Sequence, residues 1–152
     1  MAAYFFDSSA LVKRYAKETG TAWVFSLVRP SADNRLYLAR ITGVEVISAL
    51  TRRERAGLLT NSSVAKALTR FQREFANRYV VIEVSPNLVA AAMKLTRTYG
   101  LRSYDAVQLA AALEAHRARK GAGTLTLISA DNALNSAAIV EGLAVDNPNH
   151  HP

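Results

Sequence analysis

The chain contains no cysteine, which excludes a disulfide framework and a thiolate metal site. Long apolar runs are also missing. The longest are broken by Asp7, Glu45 or Gln108, well short of the ~18 residues of a membrane-spanning helix. No basic segment precedes the first apolar run, and Asp7 and Lys13 interrupt its continuation, so a signal peptide is not expected and the protein reads as cytoplasmic. Histidine is scarce: His116 falls inside a helical pattern with no carboxylate partner, and His150 and His151 lie in the tail. Repeats, linkers and low-complexity blocks are absent as well. One domain is expected over residues 1–146, followed by a polar tail, 147–152, expected to fray.

What is present is a globular composition. Half of the 152 residues are apolar, enough to bury a sizeable core. Lys and Arg number 19 against 12 Asp and Glu, for a net charge of +7. That balance favours a polyanionic partner such as nucleic acid, or an acidic protein segment, although arginine also serves plain solubility.

The pattern opens on Tyr4-Phe5-Phe6-Asp7-Ser8-Ser9-Ala10-Leu11-Val12, an aromatic run ending on an aspartate and followed by two small hydroxyl residues. It predicts a buried strand, a tight turn and a helix over 9–16 that Gly20 ends. Apolar spacing predicts a helix over 21–28, a strand over 36–39 and a helix over 42–56 capped by Thr42. Thr60 caps a further helix with Val64, Leu68, Phe71 and Phe75 on its apolar face and Lys66, Arg70, Arg73 and Glu74 on the other. Strands are predicted over 79–84 and 124–128, with an edge strand over 143–145. Helices are predicted over 86–99, 104–120 and from Asn132 to about Val140. Strands alternating with helices make an α/β fold: a mostly parallel central sheet with helices on both faces.

Four carboxylates recur at the joints of this pattern. Asp7 ends the first strand and Asp131 closely follows the fourth, while Glu45 and Asp105 stand in the first turns of helices. Each has a plain explanation, because acids favour helix N-termini and Asp131 suits an N-cap. Their company argues for more. Asp7 follows Phe6, and Asp105 sits in the core-like run Ser-Tyr-Asp-Ala-Val-Gln-Leu-Ala, where an unmatched carboxylate is costly to desolvate. Converging carboxylates repel unless a cation joins them, and an all-oxygen donor set suits Mg²⁺ or Mn²⁺ rather than Zn²⁺. With these four of the 12 acids set aside, 19 basic residues face 8 acidic ones. An acidic metal pocket on a basic body suits cleavage of a phosphodiester.

Two other chemistries that begin with an aspartate after the first strand are excluded. A haloacid-dehalogenase-type phosphatase needs a second aspartate where Ser9 stands, and a phosphorylated receiver needs an acidic pair and a late lysine that Ser8 and Ser129-Ala130 do not supply. The sequence instead resembles the PIN-domain ribonucleases, specifically VapC-type toxins of toxin–antitoxin pairs. The resemblance rests on Phe6-Asp7-Ser8-Ser9, on Gly43-Val44-Glu45-Val46, on Leu101-Arg102-Ser103-Tyr104-Asp105-Ala106 and on Ile128-Ser129-Ala130-Asp131, with Gly142-Leu143-Ala144-Val145 near the end.

The resemblance implies a single PIN-like domain and a metal-dependent endoribonuclease. Asp7, Glu45, Asp105 and Asp131 would ligate Mg²⁺ or Mn²⁺. Ser9 would orient the carboxylate of Asp7, and Ser129 would touch metal-bound water or substrate. A homodimer and a small antitoxin protein are implied too. Lys13, Arg14 and Arg102 are the expected contacts to the RNA backbone, while Arg52, Arg53 and Arg55 are explained by the C-terminus of their helix. Tyr15, Trp23, Tyr37 and Tyr104 are candidates for base stacking, with Trp23 and Tyr37 better read as core or interface. A housekeeping RNA-processing nuclease, or a PIN-like RNA-binding or assembly module without activity, remain alternatives. A missing acid would favour the module, and none is missing.

Overall fold

Phe5 and Phe6 are both fully buried, yet adjacent strand residues must point to opposite faces. The sheet therefore has to be covered on both sides. In the computed structural model, which describes residues 1–152, strand β1 (Ala3–Phe6) is flanked by β2 (Arg35–Ala39) and β4 (Leu125–Ile128), with β3 (Val80–Ile82) and β5 (Ala144–Asp146) at the edges. The order is β3-β2-β1-β4-β5 and every neighbouring pair is parallel. The register sets Phe6 beside Ile128 and Phe5 beside both Tyr37 and Leu127.

Seven helices cover the two faces: α1 (Ser8–Leu11), α2 (Thr21–Val28), α3 (Thr42–Arg55), α4 (Asn61–Asn77), α5 (Pro86–Tyr99), α6 (Ser103–Ala118) and α7 (Asn132–Val140). Phe6, Leu36, Leu38 and Ile128 pack on one side against Leu11, Val24, Leu50 and Phe71 of α1 to α4. Ala3, Phe5, Leu125 and Leu127 pack on the other against Leu95, Leu109 and Leu134 of α5 to α7. Each fully buried Phe or Leu contributes roughly 1.5–3 kcal/mol of apolar burial. Helix α6 is buried over most of its surface, from Ala106 through Ala115, and its alanines let it lie close to the sheet.

Several boundaries differ from the sequence reading. After Asp7 the chain makes one α-turn and then a 3-10 turn, Val12–Arg14, so the helix stops earlier than expected. Thr42 does not cap α3: it is fully buried, and its hydroxyl accepts a hydrogen bond from Gln108. Glu74 was expected on the solvent face of α4, but it turns inward to Arg14, Tyr15 and Tyr79. Strand β3 is half the predicted length, since at the sheet edge Glu83 leaves the ladder to pair with Arg40.

The tail is the largest correction, for residues 147–152 do not fray. Pro148–His150 form a 3-10 turn, and Asn147 and Pro148 are buried. The ring of His151 stacks on Trp23 at 4.0 Å, and its Nε2 lies 2.9 Å from Asp146 Oδ1. Gly20 makes room for this turn. Its φ is +87°, and a Cβ there would stand 2.3 Å from the Pro148 carbonyl oxygen.

The strand order reverses between β1 and β4. In open parallel sheets that crevice, outside the C-terminal ends of the strands, is where ligands bind. Asp7 leaves β1 there and Ser129 leaves β4.

Candidate active site

Asp7 is the N-cap of α1, where its side chain satisfies the N–H of Ala10. Two hydroxyls also donate to it, Ser9 to Oδ1 at 2.7 Å and Ser129 to Oδ2 at 2.8 Å. The residue is only 2% exposed. Burial pushes its carboxyl up to about 7; the three hydrogen bonds offset part of this, and the nearby Asp105 charge adds to it. Ser129 is fully buried rather than open to solvent. It ties two loops together instead, accepting the Asp131 N–H at 3.0 Å while it donates to Asp7. Ser9 does likewise, accepting the N–H of Ala130 at 3.0 Å.

Glu45, in the first turn of α3, is held from two sides. Gln108 Nε2 donates to Oε1 at 2.7 Å and Ser8 Oγ to Oε2 at 3.1 Å. Burial raises its pKa, the two donors lower it, and Asp105 raises it further. Asp105, in the first turn of α6, is raised by burial and by the Asp131 charge, with Arg102 opposing. Asp131 divides its oxygens: Oδ1 caps α7 through the Leu134 N–H at 2.8 Å, and Oδ2 accepts from Arg102 at 2.9 Å. It is thus an N-cap with one oxygen left for the crevice.

All four carboxylates line a single cavity of about 980 Å³. No three of them are grouped tightly enough to hold an ion as they stand. Each is engaged by other partners: Ser8 and Gln108 hold Glu45 while Arg102 pairs with both Asp105 and Asp131. The donor set itself fits a hard divalent cation: it is all oxygen, and three of its members carry raised pKa values that a cation would relieve.

The expected basic contacts separate. Arg102 is 81% exposed and bridges two of the acids. Lys13 lines the cavity, although it is buried and paired with Glu18. Arg14 does not face the cavity. Its guanidinium pairs with Glu74 at 3.1 Å and lies over the rings of Phe25 and Tyr15, because the 3-10 turn directs it toward α4. Arg52 and Arg53 do reach the cavity wall, whereas Arg55 does not line it.

Of the aromatic candidates, Tyr104 stands exposed at the rim beside Asp105. Tyr15 instead shares a hydrogen bond with Tyr79 away from the cavity, and burial pushes both hydroxyls above the usual phenol range. Tyr37 is buried. Gln108 and Ser8 were missed as partners of Glu45. Gln108 follows Asp105 by three residues, a spacing that places both on one face of α6, but nothing in the sequence indicated that Glu45 faced it.

The PIN domain family matches residues 4–140. No curated protein matches the chain by sequence. Among solved structures, the fold is similar to PAE2754 from Pyrobaculum aerophilum, with a TM-score of 0.65, 18% identity, and coverage of 98% of this chain and 85% of that one. A toxin–antitoxin complex from Klebsiella pneumoniae superposes with a TM-score of 0.64 at 18% identity over 96% and 98% of the two chains. FitAcB from Neisseria gonorrhoeae does so with a TM-score of 0.62 at 21% identity over 97% and 99%. The matched residues include strands β1 to β4 and all four carboxylates, and the parallel α/β fold is shared along nearly the whole chain, so this protein belongs to the PIN-domain family.

Proposed function

We propose that the protein is a metal-dependent endoribonuclease and the toxin of a toxin–antitoxin pair. The observation that carries this reading is that Asp7, Glu45, Asp105 and Asp131, from four separate segments, line one cavity whose wall also holds Lys13, Arg52 and Arg53. Membership of the PIN family and structural similarity to a toxin–antitoxin complex support it. The same likeness favours an antitoxin as partner; a homodimer in the cytoplasm completes the proposal. No helix is long and apolar enough to cross a membrane.

The four carboxylates would hold Mg²⁺ or Mn²⁺, and a bound ion of this kind polarises a phosphoryl oxygen and lowers the pKa of a water for in-line attack. The protein's own groups prepare that site. Ser9 and Ser129 fix both oxygens of Asp7, and Gln108 and Ser8 fix those of Glu45, so two ligands are oriented in advance. The carboxyl of Asp7, pushed up to about 7 by burial, would give up its proton to a bound cation. Arg102 neutralises Asp105 and Asp131 and, being exposed, is free to turn to the RNA backbone.

The test is cleavage of RNA by purified protein with Mg²⁺ or Mn²⁺. Wild type is expected to cut internally, and Asp7→Asn to lose at least 100-fold in rate, about 2.7 kcal/mol, with its fold intact by circular dichroism. An inactive wild type, or an Asp7→Asn variant that cuts equally well, would refute the reading. An antitoxin gene beside this one separates a toxin from a housekeeping nuclease.

A further inference from the structure

Part of the cavity wall lies beyond the reach of the four carboxylates' partners. There Glu18 has a cation on each oxygen: Lys13 Nζ lies 3.1 Å from Oε1 and Arg53 Nη2 lies 2.9 Å from Oε2. The two cations are fixed in different ways. The Lys13 side chain is only 6% exposed, and Arg53 Nη1 donates to the Ala49 carbonyl of its own helix at 3.2 Å. The neighbouring Arg52 lines the same wall, steadied by a hydrogen bond to Ser48 Oγ at 2.9 Å. Glu18 is carried by the connection between the Val12–Arg14 turn and α2.

Glu18 thus meets two cations, and Arg52 adds a third positive charge to the lining of the same cavity. Securing the Glu18 connection to α3 requires only Arg53. Two oxygens of one anion, each met by a separate fixed cation, are also the arrangement that binds the non-bridging oxygens of a phosphodiester. We propose that Lys13, Arg53 and Arg52 form a phosphate subsite for the RNA chain next to the cleavage site, and that Glu18 is its resident stand-in, displaced when an RNA phosphate arrives. This inference rests on the ribonuclease reading. It gives Arg52 and Arg53 a role beyond favouring the end of a helix, and makes Glu18 an internal competitor that weakens binding to ligands unable to fill the whole cavity.

The experiment measures binding of a fluorescent, mixed-sequence single-stranded RNA 12-mer by anisotropy, with chelator present so that nothing is cut, over a range of salt. Glu18→Gln preserves shape and removes the competing charge; it is expected to tighten binding three- to tenfold. Arg53→Gln is expected to weaken binding about tenfold and to flatten the salt slope by about 0.7, the loss of one phosphate contact to a single strand. With metal restored, its defect should fall on KM more than on kcat. A Glu18→Gln variant that binds no better than wild type overturns the subsite, as does an Arg53→Gln variant with unchanged affinity and slope. Weaker binding by Glu18→Gln together with a lowered melting temperature identifies a structural clamp and also overturns it. If wild type still cuts RNA and depends on Asp7 in these cases, only the subsite falls; a wild type that neither binds nor cuts RNA removes both readings.

Discussion

Asp7 receives three hydrogen bonds, yet its carboxyl titrates near neutrality, because desolvation outweighs all three. That imbalance makes the ion-free protein sensitive to pH. The folded pKa lies above the ordinary value of 3.8, so the stabilising effect is fully present below about pH 4 and is lost as pH rises through about 7. A shift of this size corresponds to on the order of 4 kcal/mol, before other groups titrate. Denaturant melts in chelator should therefore show wild type losing stability between about pH 4 and about pH 7 relative to Asp7→Asn. Parallel curves for the two proteins would show that Asp7 is not held protonated. Ser9 could be paired with Asp7 from a two-residue spacing, whereas Ser129 is 122 residues away and meets it only because β1 and β4 are neighbours.

At the scale of elements, the C-terminal turn changes most from the sequence reading. Asn147-Pro148-Asn149-His150-His151-Pro152 has the composition of a loose end. It is ordered by contacts that the composition does not display: the Trp23–His151 stack, the His151–Asp146 pair, and the close approach of Pro148 to Gly20. Gly20→Ala adds a methyl group at a positive φ against a backbone carbonyl, so it is expected to cost on the order of 2 kcal/mol. A melting temperature about 5 °C lower is expected for a domain of this size. Trp23 is the only tryptophan, so its fluorescence reports directly on whether His151 still stacks. An alanine variant with unchanged melting and unchanged emission would show that the turn does not depend on Gly20.

For the molecule as a whole, two apolar layers clamp a parallel sheet whose crevice collects the acids. The remaining surface is basic. In this arrangement the proposed divalent cation would contribute to folding free energy, since it would bind the assembled cavity and not the unfolded chain. Titrating Mn²⁺ should raise the melting temperature of wild type by several degrees, and leave a Glu45→Gln/Asp105→Asn variant unmoved. Equal shifts in both proteins would mean that the ion binds elsewhere.

The sequence by itself determined the order of elements and the identity of the four carboxylates, because apolar periodicity and the acids at element joints are local patterns along the chain. Asp7, Glu45, Asp105 and Asp131 were legible for that reason, as was Thr60 as the cap of α4. Local pattern could not show where side chains meet across the fold. Arg14 and Lys13 are adjacent in sequence, but a tightened turn sends one to Glu74 and the other to the cavity wall. Arg52 and Arg53 look like ordinary cations at a helix end until the packing of α3 brings them beside Glu18. Gln108, Ser8 and Ser129 acquire their roles in the same way. Partners such as these are chosen by strand order and helix packing, since hydrogen bonds and ion pairs act over a few ångströms in space, whatever the separation along the chain.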